Sequence, residues 1–142
     1  MSKPITYGVE PRIYETSKYK GYKYYIVEGY MSVCAYVVIP KGSIKKRHPL
    51  YKAELEDMSH FPVHGGITYA SDTFYLDNIG SKNFIIGWDY AHGGDFIFID
   101  RSFVNEWVSL DKYDNGHRYT REEIMRDIEN CIEFLIKEYD NK

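Results

Sequence analysis

The apolar positions of the chain follow two different rhythms. Between residues 31 and 39, Val33, Ala35, Val37 and Ile39 alternate with Cys34, Tyr36 and Val38, the two-residue period of a β-strand. The preceding segment Gly21–Glu28, GYKYYIVE, is dense in aromatic and β-branched residues and reads as a second strand. The tight connection through Glu28, Gly29 and Tyr30 predicts an antiparallel hairpin. Pro40 has no N–H to give to a ladder and closes the second strand. Near the C-terminus the rhythm changes: Ile124, Ile128, Cys131, Ile132, Leu135 and Tyr139 recur at helical spacing. Thr120, with Glu123 three residues on, forms a capping box and starts this helix. Glu122 with Arg126 and Glu133 with Lys137 stand at the i,i+4 spacing of ion pairs on its polar side. Cys131 lies inside the stripe and is expected to act as a small buried hydrophobe, not a nucleophile.

Between these elements, residues 41–62 read as a long charged loop punctuated by Pro49 and Pro62. Short strands are expected at Ile67–Ala70, Thr73–Leu76, Phe84–Trp88 and Phe96–Asp100, and a short helix over Ser102–Leu110. Strands at this spacing form a meander, so the sheet should be largely antiparallel. The expected fold is α+β: a single domain over residues 1–142, a mostly antiparallel sheet packed by a C-terminal amphipathic helix.

Composition narrows the class without naming a function. At 44% hydrophobic and 17% aromatic residues, the chain can offset its ordering entropy, which excludes global disorder. No apolar run approaches the roughly 18 residues of a membrane span. The opening MSKPITYGVE has no apolar signal core, and Cys34 and Cys131 are far apart, so a reducing cytoplasmic setting is expected. The charge is split. Residues 1–52 carry 10 Lys/Arg and 3 Glu, a balance of +7; residues 53–142 carry 8 basic and 18 acidic residues, a balance of −10. Such a division steers toward charged macromolecular partners.

Candidate chemistry gathers in two glycine-flanked stretches. One is Val63-His64-Gly65-Gly66-Ile67-Thr68-Tyr69; the other runs from Gly87 to Asp95, GWDYAHGGD. In both, a histidine abuts a glycine pair, which permits the positive φ of a loop wrapped around a site. Asp89, His92 and Asp95 are spaced by three, and with His64 they supply imidazoles and carboxylates suited to Zn²⁺ or another divalent transition metal. His48 and Cys34 are further candidate ligands, while His60 and His117 read as surface residues. The competing reading makes the histidines turn caps and the aspartates partners of loop amides. No GxSxG elbow, P-loop or GxGxxG is present. The run KYKGYKYY over residues 18–25 interleaves lysines with rings that could stack on a single strand. An edge strand blunted by lysines is the plainer reading, and direct nucleic-acid binding is not expected.

These residues carry a resemblance. Cys34-Ala35-Tyr36-Val37, His48-Pro49-Leu50-Tyr51, the stretch Val63 to Tyr69 and the stretch Gly87 to Asp95 resemble, in order, the motifs of a family of small uncharacterised proteins of phages and Gram-positive bacteria. The likeness covers residues 31–95, with the last helix as a weaker extension. It departs at Ala35, where the family has Gly, and at Tyr90, where it often has Cys. The Tyr-rich residues 1–30 fall outside it. The resemblance implies metal binding by the conserved-order motif residues and a phage accessory or counter-defence role in the host cytoplasm.

Two functions follow as expectations. The first is a binding protein whose acidic residues, Glu54, Glu56 and Asp57 in the long loop and Glu122, Glu129 and Glu133 on the last helix, dock on a basic host defence protein such as a type II CRISPR nuclease, in the manner of an anti-CRISPR. Its metal would be structural, closed by four protein ligands such as His48, His64, Asp89 and His92. The second is a metal-dependent hydrolase of a phosphorylated or nucleotide substrate, with an open coordination position and Asp95 or Asp89 as base.

Overall fold

The chain was analysed as a computed structural model, which describes residues 11–29, 32–40, 48–80, 82–90, 117 and 119–140. The expected hairpin is present and is extended by a strand at its N-terminal side. Strand β1 spans Arg12–Tyr19, β2 Tyr22–Glu28 and β3 Val33–Pro40. A short 3₁₀ turn covers Leu55–Met58, β4 covers Tyr69–Ser71 and β5 covers Asn83–Asp89. The helix α1 spans Arg121–Leu135 and runs on into a π-helical turn, Ile136–Asp140. The strands form one sheet in the order β1-β2-β3-β5-β4, with every neighbouring pair antiparallel. The fold is α+β, as the hydrophobic pattern requires.

Strand β1 was not expected, because its alternation is broken by a bulge. The register with β2 shifts between Ile13 and Glu15, which leaves Tyr14 as the extra residue, half exposed. The strands β1 and β2 meet at Lys20 and Gly21, with φ of 47° and 90°, a two-residue turn whose twist matches that of the strands. The expected strand Thr73–Leu76 is instead a turn held by a bridge between Phe74 and Asp77. The expected strand Phe96–Asp100 and helix Ser102–Leu110 lie outside the described residues.

Both faces of the sheet are covered, so β3 reads as an almost continuous apolar run. One face, with Ile26, Ala35, Val37, Ile39, Ile86 and Trp88, packs against Ile124, Ile128, Cys131, Ile132 and Leu135 of α1. Each of these large side chains contributes roughly 1.5–3 kcal/mol by leaving water. The 50–67 loop reinforces this layer with Leu50, Met58, Phe61 and Ile67. The other face, with Tyr25, Val27, Tyr36, Val38 and Ile85, is covered by Phe74 and Ile79. Gly87 lies directly under Tyr36, its register partner, where a Cβ would collide with the ring.

Helix α1 begins as its sequence dictates. The Glu123 N–H donates to Thr120 Oγ1 at 3.3 Å and the Thr120 N–H to Glu123 Oε1 at 3.0 Å, a closed capping box. Arg121 fastens this end to β1. Its Nε and Nη2 donate to the two Glu15 oxygens at 2.5 and 2.9 Å, and the Arg121 hydrogen bond is the main reason the Glu15 carboxyl sits below its ordinary value. Among the described residues no helix is long and apolar enough to cross a membrane.

Candidate functional site

The end of β5 and the start of α1 enclose a cluster of rings. Tyr90 directly follows β5 and, two residues beyond Trp88, points to the same face, where it is fully buried. Its hydroxyl donates to Asp127 Oδ2 at 2.7 Å and accepts from the Trp88 indole Nε1–H at 3.0 Å. Burial, then the Asp127 carboxylate, raises the phenol pKa, so Tyr90 stays protonated and serves as a donor. His64 lies flat on Tyr90, with centroids 5.1 Å apart and planes 6° from parallel. Tyr119 packs on both rings, at 4.5 Å from Tyr90 and 5.2 Å from His64, with its hydroxyl 3.4 Å from His64 Nε2. His117 stands edge-on to Tyr119 and places Nε2 2.7 Å from Glu123 Oε2, so it joins the capping box to the cluster.

The His-Gly-Gly motif positions His64. Gly65 and Gly66 have φ of 73° and 77°, a backbone that favours glycine, and a Cβ on Gly66 would meet the Ser59 carbonyl at 2.6 Å. The Gly66 N–H closes the turn on Val63 O at 3.0 Å. The glycine pair thus turns the chain so that His64 faces Tyr90 while Ile67 enters the core.

The candidate metal ligands are divided by the sheet. Asp89 pairs in register with Cys34 on the face opposite α1, and Thr68 Oγ1 donates to Asp89 Oδ2 at 3.3 Å. Burial, then the Asp89 carboxylate, pushes the Cys34 thiol up to about 11. His64 belongs with Tyr90 on the helix side. His48 is on that side too, but near the far end of α1: its Nδ1 accepts from the Leu50 N–H at 3.1 Å, and its Nε2 lies 3.0 Å from the Tyr22 hydroxyl. Its ring also stacks near Tyr139. His92 and Asp95 lie outside the described residues. Among the described residues no three His, Cys, Asp or Glu side chains converge as a metal site requires. His117 is exposed, as its surface reading expects, but it is not without neighbours: it bonds Glu123 and packs on Tyr119.

The acidic residues fall into two groups of different character. Glu54, Leu55, Glu56 and Asp57 are all exposed on the 3₁₀ turn, with Leu55 at 41%. The turn is anchored by buried Met58 and by Phe61, whose ring packs against Phe134 and Tyr139 at the end of α1. Burial, then the charges of Glu138 and Asp57, raise the Tyr139 phenol pKa, so both carboxylates lie near that ring. The helix continues past Leu135 into the turn Ile136–Asp140, where Glu138 stands beside Lys137. On the helix, Glu122 is exposed, Glu129 half-buried and Glu133 exposed. Glu133 is engaged by Lys20 and accepts from the Tyr19 hydroxyl at 3.2 Å, so it is held by the β1–β2 turn rather than left to solvent.

Sequence periodicity alone could have placed Tyr90 with Trp88. The Tyr90–Asp127 bond, and the roles of Tyr119 and His117, depend on how α1 crosses the sheet, which no local pattern encodes. Comparison with protein families, with curated proteins and with solved structures finds no match to this chain.

Proposed function

We propose that the protein is a small phage-type binding protein that docks on, and inhibits, a basic host defence protein, a type II CRISPR nuclease being the first candidate. The observation that carries this reading is the exposed acidic turn Glu54–Asp57, with Leu55 projecting from its middle and a firm anchor beneath. An acidic patch around a protruding apolar side chain matches a partner surface that ordinarily holds nucleic acid: the charge steers the encounter and the leucine is buried on contact. Because Met58 and Phe61 hold the turn from below, the contact surface is formed before binding and little ordering is left to oppose it. Glu138, which like Asp57 acts on the Tyr139 ring, extends the same patch.

A divalent metal, zinc first, belongs to the proposal as a structural support of the two glycine-flanked stretches. Its ligands would be drawn from His64, His92 and Asp95, because Asp89 faces the side of the sheet opposite His64. The arrangement of His48 and Cys34 favours neither as a ligand shared with His64, since they lie at the other end of the helix side and on the opposite face respectively.

The test is DNA cleavage by a type II CRISPR nuclease with wild-type protein and with a Glu54→Lys/Glu56→Lys/Asp57→Lys variant. The reading expects inhibition by the wild type and its loss in the variant at unchanged Tm. Absence of inhibition, together with metal-dependent turnover of a nucleotide, would replace it with the hydrolase.

A further inference from the structure

On the face of the sheet opposite α1, Lys18 of β1 and Lys23 of β2 are direct register partners. Directly opposed residues of an antiparallel pair project to the same side, and like charges there are destabilising. Among the described residues the relief is loose: Lys23 Nζ sits over the Tyr25 ring, 5.1 Å from its centroid. Asp77 Oδ2 lies 3.8 Å from Lys23 Nζ, while Asp77 is already committed to the Tyr25 hydroxyl at 2.6 Å and to the Asn78 N–H at 2.8 Å. Lys18 makes no ion pair among the described residues. The two lysines rim a groove of about 340 Å³ that Val38 and Ile79 floor and that Asn78 and Asn83 close. That volume lies within the ~300–1,000 Å³ of small-ligand sites.

Both asparagines of the groove are held in place by the 78–80 turn. Asn78 uses its Oδ1 to accept the Gly80 N–H at 2.9 Å, which fixes its amide and leaves the Nδ2 hydrogens for a ligand. The Asn83 amide is held by the Ile79 carbonyl, so this wall is rigid. A second cavity adjoins the first through Asn78 and Ile79, lined by Phe74 and Tyr75, and extends the site with an aromatic surface. We propose that this groove binds a mononucleotide-sized organic phosphate. Lys18 and Lys23 hold the phosphate, which carries about −1.5 to −2 at pH 7 and cancels their mutual repulsion. The flat body lies over Val38 and Ile79 toward Phe74 and Tyr75. The site is on the opposite side of the sheet from the acidic turn and does not depend on it.

Calorimetric titration at fixed ionic strength tests this with AMP, inorganic phosphate, adenosine and a 5′-phosphorylated single-stranded oligonucleotide. AMP should bind more tightly than phosphate, and adenosine should show no saturable binding. Lys18→Ala and Lys23→Ala should each weaken AMP about tenfold, the scale of one charge-assisted hydrogen bond. Asp77→Asn keeps an acceptor for Tyr25, removes the carboxylate that competes with the ligand, and should tighten binding. Lys20→Ala, whose lysine is taken up by Glu133, should leave it unchanged. The unliganded Lys18→Ala/Lys23→Ala protein should melt no lower than wild type, because the repulsion is gone. No saturable AMP binding, or equal binding by the double variant, would overturn the proposal. Tighter binding of the oligonucleotide than of AMP would also overturn it, in favour of a strand as ligand.

Discussion

The Tyr90 hydroxyl donates to Asp127 at 2.7 Å, and through this bond the end of β5 is fixed to the middle of α1. The same hydroxyl accepts from the Trp88 indole, so one atom satisfies two partners in the layer between sheet and helix. Tyr90→Phe keeps the ring and its stack with His64 but leaves the indole N–H unpaired in a buried place. Such a loss costs about 1–3 kcal/mol. We expect a Tm lower by several degrees, with the far-ultraviolet circular dichroism unchanged. A Tm equal to wild type in a thermal melt would show that the bond contributes nothing to the packing of α1.

Glu15 and Arg121 set a pH dependence of known sign. The Arg121 hydrogen bond lowers the Glu15 pKa in the folded protein, so near the ordinary glutamate value of 4.5 the unfolded chain binds more protons than the folded one. The stability from this pair is therefore present above pH 4.5 and is lost as the pH falls through the lower, folded value. The pair is partly open to water, which screens it to roughly 1 kcal/mol. Urea midpoints measured from neutral pH to below 4.5 should fall less steeply in Glu15→Gln than in wild type. Parallel curves for the two proteins would remove the pair from the account.

Cys34 should be a slow thiol. With its pKa pushed up to about 11 by burial and by Asp89, only about 0.1% is thiolate at pH 8. Cys131 is fully buried in the helix stripe, and burial raises its thiol as well. Iodoacetamide at pH 8 should leave both unmodified in the folded protein, the Cys34 rate should climb with pH, and Asp89→Asn should accelerate it. Labelling of Cys34 at the rate of free cysteine would contradict the assigned environment.

The hairpin, the capping box and the apolar stripe of α1 were legible because each is written in a local period or spacing. Val33, Ala35, Val37 and Ile39 do share a face, and Thr120 and Glu123 do close on each other. Strand β1 was illegible because the bulge at Tyr14 shifts its alternation midway, and Thr73–Leu76 misled because strand-forming residues there make a turn that covers the second face. The candidate ligands were read from spacing along the chain, which does not say that Asp89 faces Cys34 while the very next residue, Tyr90, faces His64. That separation is the two-residue period of β5 itself. The Lys18–Lys23 opposition was equally invisible, because it depends on the register that the Lys20–Gly21 turn imposes.

The metal component of the proposal is open to direct analysis. Protein made without an affinity tag should carry about one zinc per chain, and chelation should lower its Tm, since structural metal binding is also folding energy. His64→Ala should reduce the zinc content. His48→Ala should not, because both His48 nitrogens already serve Leu50 and Tyr22. Elemental analysis that finds no transition metal would strike the metal from the proposal and leave the binding surface standing.

The most direct test of the central claim is the association rate of the protein with an immobilised type II CRISPR nuclease, measured at low and at high salt for wild type and for Glu54→Lys/Glu56→Lys/Asp57→Lys. Exposed charges are screened beyond about 8–10 Å at physiological ionic strength, so a contact steered by this turn loses speed as salt rises. The account predicts a wild-type rate that falls steeply with salt, and a variant that is at least tenfold slower at low salt and nearly salt-independent. Equal association rates for the two proteins at low salt would contradict docking through the acidic turn.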